Sequence, residues 1–152
     1  MKKIGLFLLI IFTNVMFAQN LKDYRTLLQK GENSEVAAKK LIEKSSMAFS
    51  ETKQPIYAGF LAVGKFFMAK HVFNPVKKMS YFNEGKNTME AAIKSDPKNL
   101  EVRLMRLITQ ESVPKFLGYY QNIKEDRIFL TRDYKKSTDN DLKIYIKAYL
   151  KL

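Results

Sequence analysis

The sequence contains no cysteine and a single histidine, His71. The first absence excludes disulfides and thiol chemistry, removes the commonest structural zinc ligand, and rules out attachment of a lipid to an N-terminal cysteine. A general base or metal ligand at His71 would need an orienting group or further ligands, and no neighbouring His, Cys or paired-carboxylate motif supplies them. His71 therefore reads as a structural or surface residue. Serines occur without a nucleophile elbow, and neither a glycine-rich phosphate loop nor a calcium-loop spacing is present. No catalytic, cofactor-binding or metal-ligating residue is assigned, and the expected protein is not an enzyme, an enzyme of unrecognised type being the alternative.

Long apolar runs are also missing. The longest, Ile4 to Phe12, has nine residues, whereas a membrane-spanning helix needs about 20. Lys2 and Lys3 precede it and the small residue Ala18 follows, so residues 1–18 read as a secretory leader. The expected product is one exported domain, residues 19–152, periplasmic or secreted, with no transmembrane span once the leader is removed. Its 134 residues suit a single core that buries roughly 65% of the surface of the unfolded chain.

Charge is abundant but dispersed. The chain carries 27 Lys and Arg against 15 Asp and Glu, a formal charge of +12, yet no basic run exceeds two residues. A nucleic-acid reader would need a basic stripe interleaved with stacking aromatics, so nucleic acid is not an expected partner. The excess reads as a solvated surface, with an anionic envelope component as the competing reading.

What the chain has throughout is helical spacing. Asn20 can cap a first helix that presents Leu21, Tyr24 and Leu28 and ends at Gly31. Ser34 opens a second, with Ala38, Leu41, Ile42, Ala48 and Phe49 inward. Pro55 starts a third that is apolar on two sides and so belongs in the centre, with Ala58, Gly59, Ala62 and Gly64 allowing close approach. Asn74 and Pro75 begin a fourth, presenting Met79, Phe82, Met89, Ala92 and Ile93. It stops at Ser95-Asp96-Pro97, because the residue before proline is steered out of the helical region.

Asp96 or Asn99 can cap a fifth helix, with Leu100, Leu104, Leu107 and Ile108 inward and Arg103, Arg106 and Gln110 on the opposite face. Pro114 opens a short helical turn, and Asn122 with Glu125 matches a capping box for a helix reaching about Tyr134. The segment Lys136-Ser137-Thr138-Asp139-Asn140-Asp141 caps a last helix, with Leu142, Tyr145, Ile146, Tyr149 and Leu150 on its apolar side. The predicted fold is all-α: seven or eight helices in antiparallel hairpins, stacked as a short solenoid-like domain.

Hairpins would begin near residues 20, 54, 98 and 139, intervals of 34, 44 and 41 residues, within the range of helical repeats of roughly 34 to 47. Gly85, Met89, Ala92 and Pro97, with the Asp96-Pro97-Lys98-Asn99 turn, resemble the second helix and junction of a tetratricopeptide repeat. The resemblance covers residues 85–97. The segments Glu111–Tyr120 and Ile123–Leu130 are similar to small exported proteins of the Bacteroidota, a likeness that implies no site residues.

A scaffold of this kind points to a non-catalytic interaction module that binds a protein or peptide between hairpins. Arg103 and Arg106, three residues apart, share a helix face and could grip a carboxylate or phosphate, or pair internally with Glu90, Glu125 or Asp126. Tyr119 and Tyr120 follow Gly118, where they could form a recognition surface or fill a gap between helices. The basic, tyrosine-bearing last helix suits a membrane interface or, alternatively, a cap on the open end of the stack.

Overall fold

The computed structural model describes residues 21–152. They form seven α-helices and two 3-10 turns, without a strand among the described residues. Helix α1 spans 21–31, α2 Glu35–Thr52, α3 Pro55–His71, α4 Pro75–Ser95, α5 Leu100–Ser112, α6 Ile123–Asp133 and α7 Asn140–Leu150; the 3-10 turns are Lys115–Leu117 and Tyr134–Lys136. The predicted leader and the Asn20 cap lie outside the described residues.

Most helix starts follow from local chemistry. Ser34 accepts from the Ala37 N–H, Asn74 from those of Val76 and Lys77, Asn99 from Val102, and Asp139 from Leu142. Each such bond satisfies an N–H that has no partner within its helix, and is worth about 1 kcal/mol. Pro55 and Pro75 occupy first-turn positions, where a missing N–H removes no helical bond. Asn122 departs from expectation. Its backbone is not extended (φ −102°, ψ 2°), so its side chain cannot fold back over the first turn as a cap. Instead its amide donates to Glu125 at 3.3 Å, and its N–H is taken by Gln110 Oε1 at 3.0 Å. The capping box is absent.

Helix α3 is central, packing against α2, α4 and α5. The connections on either side of it, residues 53–54 and 72–74, are short enough to fold neighbouring helices back as antiparallel hairpins. Leu41, Tyr57, Phe60, Met89 and Val102 form the heart of the main core. Tyr24 of α1 stacks on Phe60 with centroids 5.2 Å apart. Small residues set these distances: a Cβ on Gly64 would lie 2.8 Å from Ile42 Cγ1, and one on Gly85 would lie 3.1 Å from the Ala62 carbonyl oxygen. A second apolar cluster joins Leu104 and Leu107 of α5 to Leu130 of α6 and to Leu142 and Ile146 of α7. A third, built on Ala69, Phe82 and Tyr119, holds Leu117 of the first 3-10 turn against the α3–α4 hairpin.

Two expected faces are corrected. Met79 is 45% exposed, because the first turn and a half of α4 projects past its neighbours: every residue from 73 to 80 is exposed. Tyr145 also lies outward, and α7 seats itself through Leu142 and Ile146. Helix α5 has no solvent face along most of its length. Arg103, Arg106 and Gln110 are as buried as the leucines across the helix.

Candidate functional site

The polar side of α5 is enclosed by α4, α6 and the segment preceding α6, and Asp126 of α6 is its pivot. Asp126 is fully buried. Its Oδ2 accepts from Arg106 Nε at 2.7 Å, and its Oδ1 accepts from Arg106 Nη2 at 2.8 Å and from Arg103 Nη1 at 2.7 Å. Arg106 thus grips one carboxylate with two parallel bonds, the arrangement that its planar fork favours. Its remaining nitrogen, Nη1, donates to Glu90 Oε2 of α4 at 2.9 Å, and Glu90 Oε1 accepts from the Tyr119 hydroxyl at 2.7 Å. Arg103 donates also to Glu125 at 2.5 Å and to the Pro97 carbonyl at 2.9 Å, and its guanidinium lies 4.7 Å from the centre of the Phe129 ring.

These contacts set the ionisation of the group. Burial on its own would weaken the charge of Arg106, but Asp126 and Glu90 outweigh it and hold the guanidinium firmly protonated. Arg103 behaves in the same way through Asp126 and Glu125. The hydrogen bond from Arg103 holds Glu125 below the usual carboxylate range. Burial, reinforced by Glu90, pushes the Tyr119 phenol well above its ordinary value. Arg103 and Arg106 therefore stay cationic, Glu125 anionic and the Tyr119 phenol neutral near neutral pH.

The sequence-predicted candidates separate into two groups. Arg103, Arg106 and Tyr119 come together, facing inward with internal partners. Tyr119 also packs between Phe66 and Phe82. Tyr120, 48% exposed, points away from them. His71 is half-buried, with Nε2 2.9 Å from the Gly31 carbonyl oxygen, which ties the end of α3 to the end of α1. Among the described residues no cluster of His, Asp or Glu converges as a metal set. An open groove beside α6 and α7 is lined by Arg127, Ile128, Thr131, Arg132 and Leu150. Both arginines there already pair, with Glu111 and Asp133.

Two features escaped sequence reasoning. The first is a second ionic clamp: Arg25 of α1 binds both carboxylate oxygens of Glu101 at 2.7 Å and Asp139 Oδ2 at 2.7 Å. No local signal marks it, since its partners lie 76 and 114 residues away. The second is an exposed apolar end. Phe73 is 99% exposed, Phe116 86% and Val76 78%. A signal for it does stand in the sequence, because Phe73 and Val76 flank a helix start and belong to no apolar stripe. Comparison with family models, curated proteins and solved structures finds no match in any of the three.

Proposed function

We propose that this chain is a non-catalytic, exported helical module of tetratricopeptide type, which acts by binding a component of the cell envelope through the tip of its α3–α4 hairpin. The observation that carries this reading is Phe73, held at the turn with almost its whole surface in water and flanked by exposed Val76, Lys77 and Lys78. Large apolar side chains grouped on a surface mark interaction sites far more often than isolated ones do. The leader-like start of the sequence supports export, and the tetratricopeptide-like residues 85–97 support a scaffold role.

The network geometry weighs between the two partner classes. A peptide gripped by Arg103 and Arg106 would have to displace the buried carboxylate of Asp126, leaving that charge without partners at a cost of several kcal/mol. Tyr120 alone of the four candidates is free to meet a peptide at the surface. An anionic envelope component requires no such displacement, because the lysines and apolar side chains at the tip are already outward.

The test uses crosslinking in the envelope fraction, comparing the parent chain with a Phe73→Ser, Val76→Ser, Phe116→Ser variant. All three side chains are exposed, so the thermal melt should be unchanged. The variant should lose most of the crosslinked product; equal crosslinking by parent and variant would overturn the reading.

A further inference from the structure

We infer that the partner of this tip is the surface of an anionic lipid bilayer, an assignment that rests on the binding role just proposed. The argument begins with charge. No Asp or Glu occurs between Glu51 and Glu84, a stretch of 32 residues with five lysines, nor between Glu111 and Glu125. The first stretch contains the α3–α4 turn, and the second contains the 3-10 turn Lys115–Leu117. The fold brings them together, since Leu117 and Tyr119 pack on Ala69 and Phe82 of that hairpin. Within the first stretch Lys65 and Lys70 reach acids that lie outside it, Glu84 and Glu32. Lys77, Lys78 and Lys115 have no acidic partner among the described residues.

Exposed Phe73 and Val76 adjoin Lys77 and Lys78 in the chain, and exposed Phe116 adjoins Lys115. Aromatic and aliphatic side chains enter the boundary between headgroups and acyl chains, while lysines extend their ammonium groups to the phosphates. A bilayer asks for no pocket, only exposed apolar side chains beside cations, which Phe73 and Val76 with Lys77 and Lys78 provide. No helix among the described residues is long and apolar enough to cross a membrane, so the contact is peripheral. Helix α7 is the rival surface, with Ile144 67% exposed and Lys147 beside it. It differs in carrying acids at its start, Asp139 and Asp141.

The experiment is co-sedimentation of the full chain with vesicles of phosphatidylglycerol and phosphatidylcholine in equal parts, against phosphatidylcholine alone. Every variant shares the parent's N-terminus, so differences from the parent isolate the altered surface. The parent should partition more strongly onto the anionic vesicles, less so in 0.5 M salt. Lys77→Glu with Lys78→Glu should weaken that partition by about tenfold or more, as expected for charges near an anionic surface. The triple serine variant of Phe73, Val76 and Phe116 should also lose about tenfold, whereas Ile144→Ser with Lys147→Ser should change it less than about threefold. Equal binding to both vesicle types, or dependence on the α7 pair in place of the tip, would overturn the lipid assignment. If crosslinking depends on the tip while anionic vesicles are ignored, the lipid assignment falls and the binding module stands. If neither depends on the tip, both fall.

Discussion

The two halves of this domain are joined by opposite means. Around α3 the contacts are apolar and close, with helices brought together at glycine and alanine and aromatic rings filling the remaining space. Between α5 and α6 an apolar seam is accompanied by two buried arginines converging on one carboxylate. An apolar contact weakens by degrees, since a lost methylene leaves a small cavity and its neighbours relax. A buried ion pair has no such gradation. Removing one member strands the others in a medium that solvates charge poorly, so the whole penalty falls at once.

The largest expected effect follows from that contrast. Asp126→Ala should destabilise the domain by about 3–5 kcal/mol, read from urea unfolding, because two guanidinium groups lose their buried counter-charge. Combining Asp126→Leu with Arg103→Met and Arg106→Met should recover most of that loss. If the triple variant were as unstable as the single one, stranded charge would not be the cause.

The apolar half should respond less. Gly64→Val forces bulk against Ile42 and should cost about 1–3 kcal/mol, with far-ultraviolet circular dichroism unchanged below the melt. A loss as large as that of Asp126→Ala would erase the distinction between the halves.

Tyr119 connects the two, with its ring in the apolar cluster and its hydroxyl on Glu90. In the unfolded chain its phenol ionises near pH 10, whereas in the folded protein ionisation is pushed higher. The stabilisation is therefore complete below about pH 10 and declines as pH rises beyond it. Tyr119→Phe should cost about 1 kcal/mol at neutral pH and flatten this alkaline decline, measured by denaturant midpoints between pH 8 and 11.

The smallest effect belongs to the exposed rim of the ionic network. Glu125→Gln should cost under about 1 kcal/mol at pH 7, since most of its side chain is in water. Its folded-state pKa is depressed, so its contribution is present above the ordinary carboxylate range and fades as pH falls below it. Parent and variant melts should draw together as pH falls below the ordinary carboxylate range.

Helix class, the placement of α3 and four of the caps were legible because each depends on neighbours in sequence: Ser34, Asn74, Asn99 and Asp139 act within their own first turns. On the polar side of α5, internal pairing with Glu90, Glu125 and Asp126 was one of the two readings of the sequence, and it is the arrangement found. Periodicity places Arg103, Arg106 and Gln110 on one face, and Asp126, from another helix, is the centre of the pairing that makes burial of the two arginines tolerable. The proximity of Arg103 and Arg106 was visible, together with three acids that could answer them. The direction in which they face was not, because it is fixed by how α6 docks. Phe73 escaped because it belongs to no apolar stripe, and the projection of α4 that leaves it outside is not a local feature of the sequence.

The Arg25 clamp bears on the order in which the domain can be completed. A chain made from its N-terminus presents Arg25 early, but the second carboxylate that holds it arrives only with Asp139. Until then α1 rests on its apolar contacts and Glu101 alone, and closing so long a loop is entropically slow compared with forming the hairpins between. The same Asp139 starts α7 by capping it. Nucleation of the last helix and fastening of the first therefore share one residue, so a chain interrupted before position 139 would lack both.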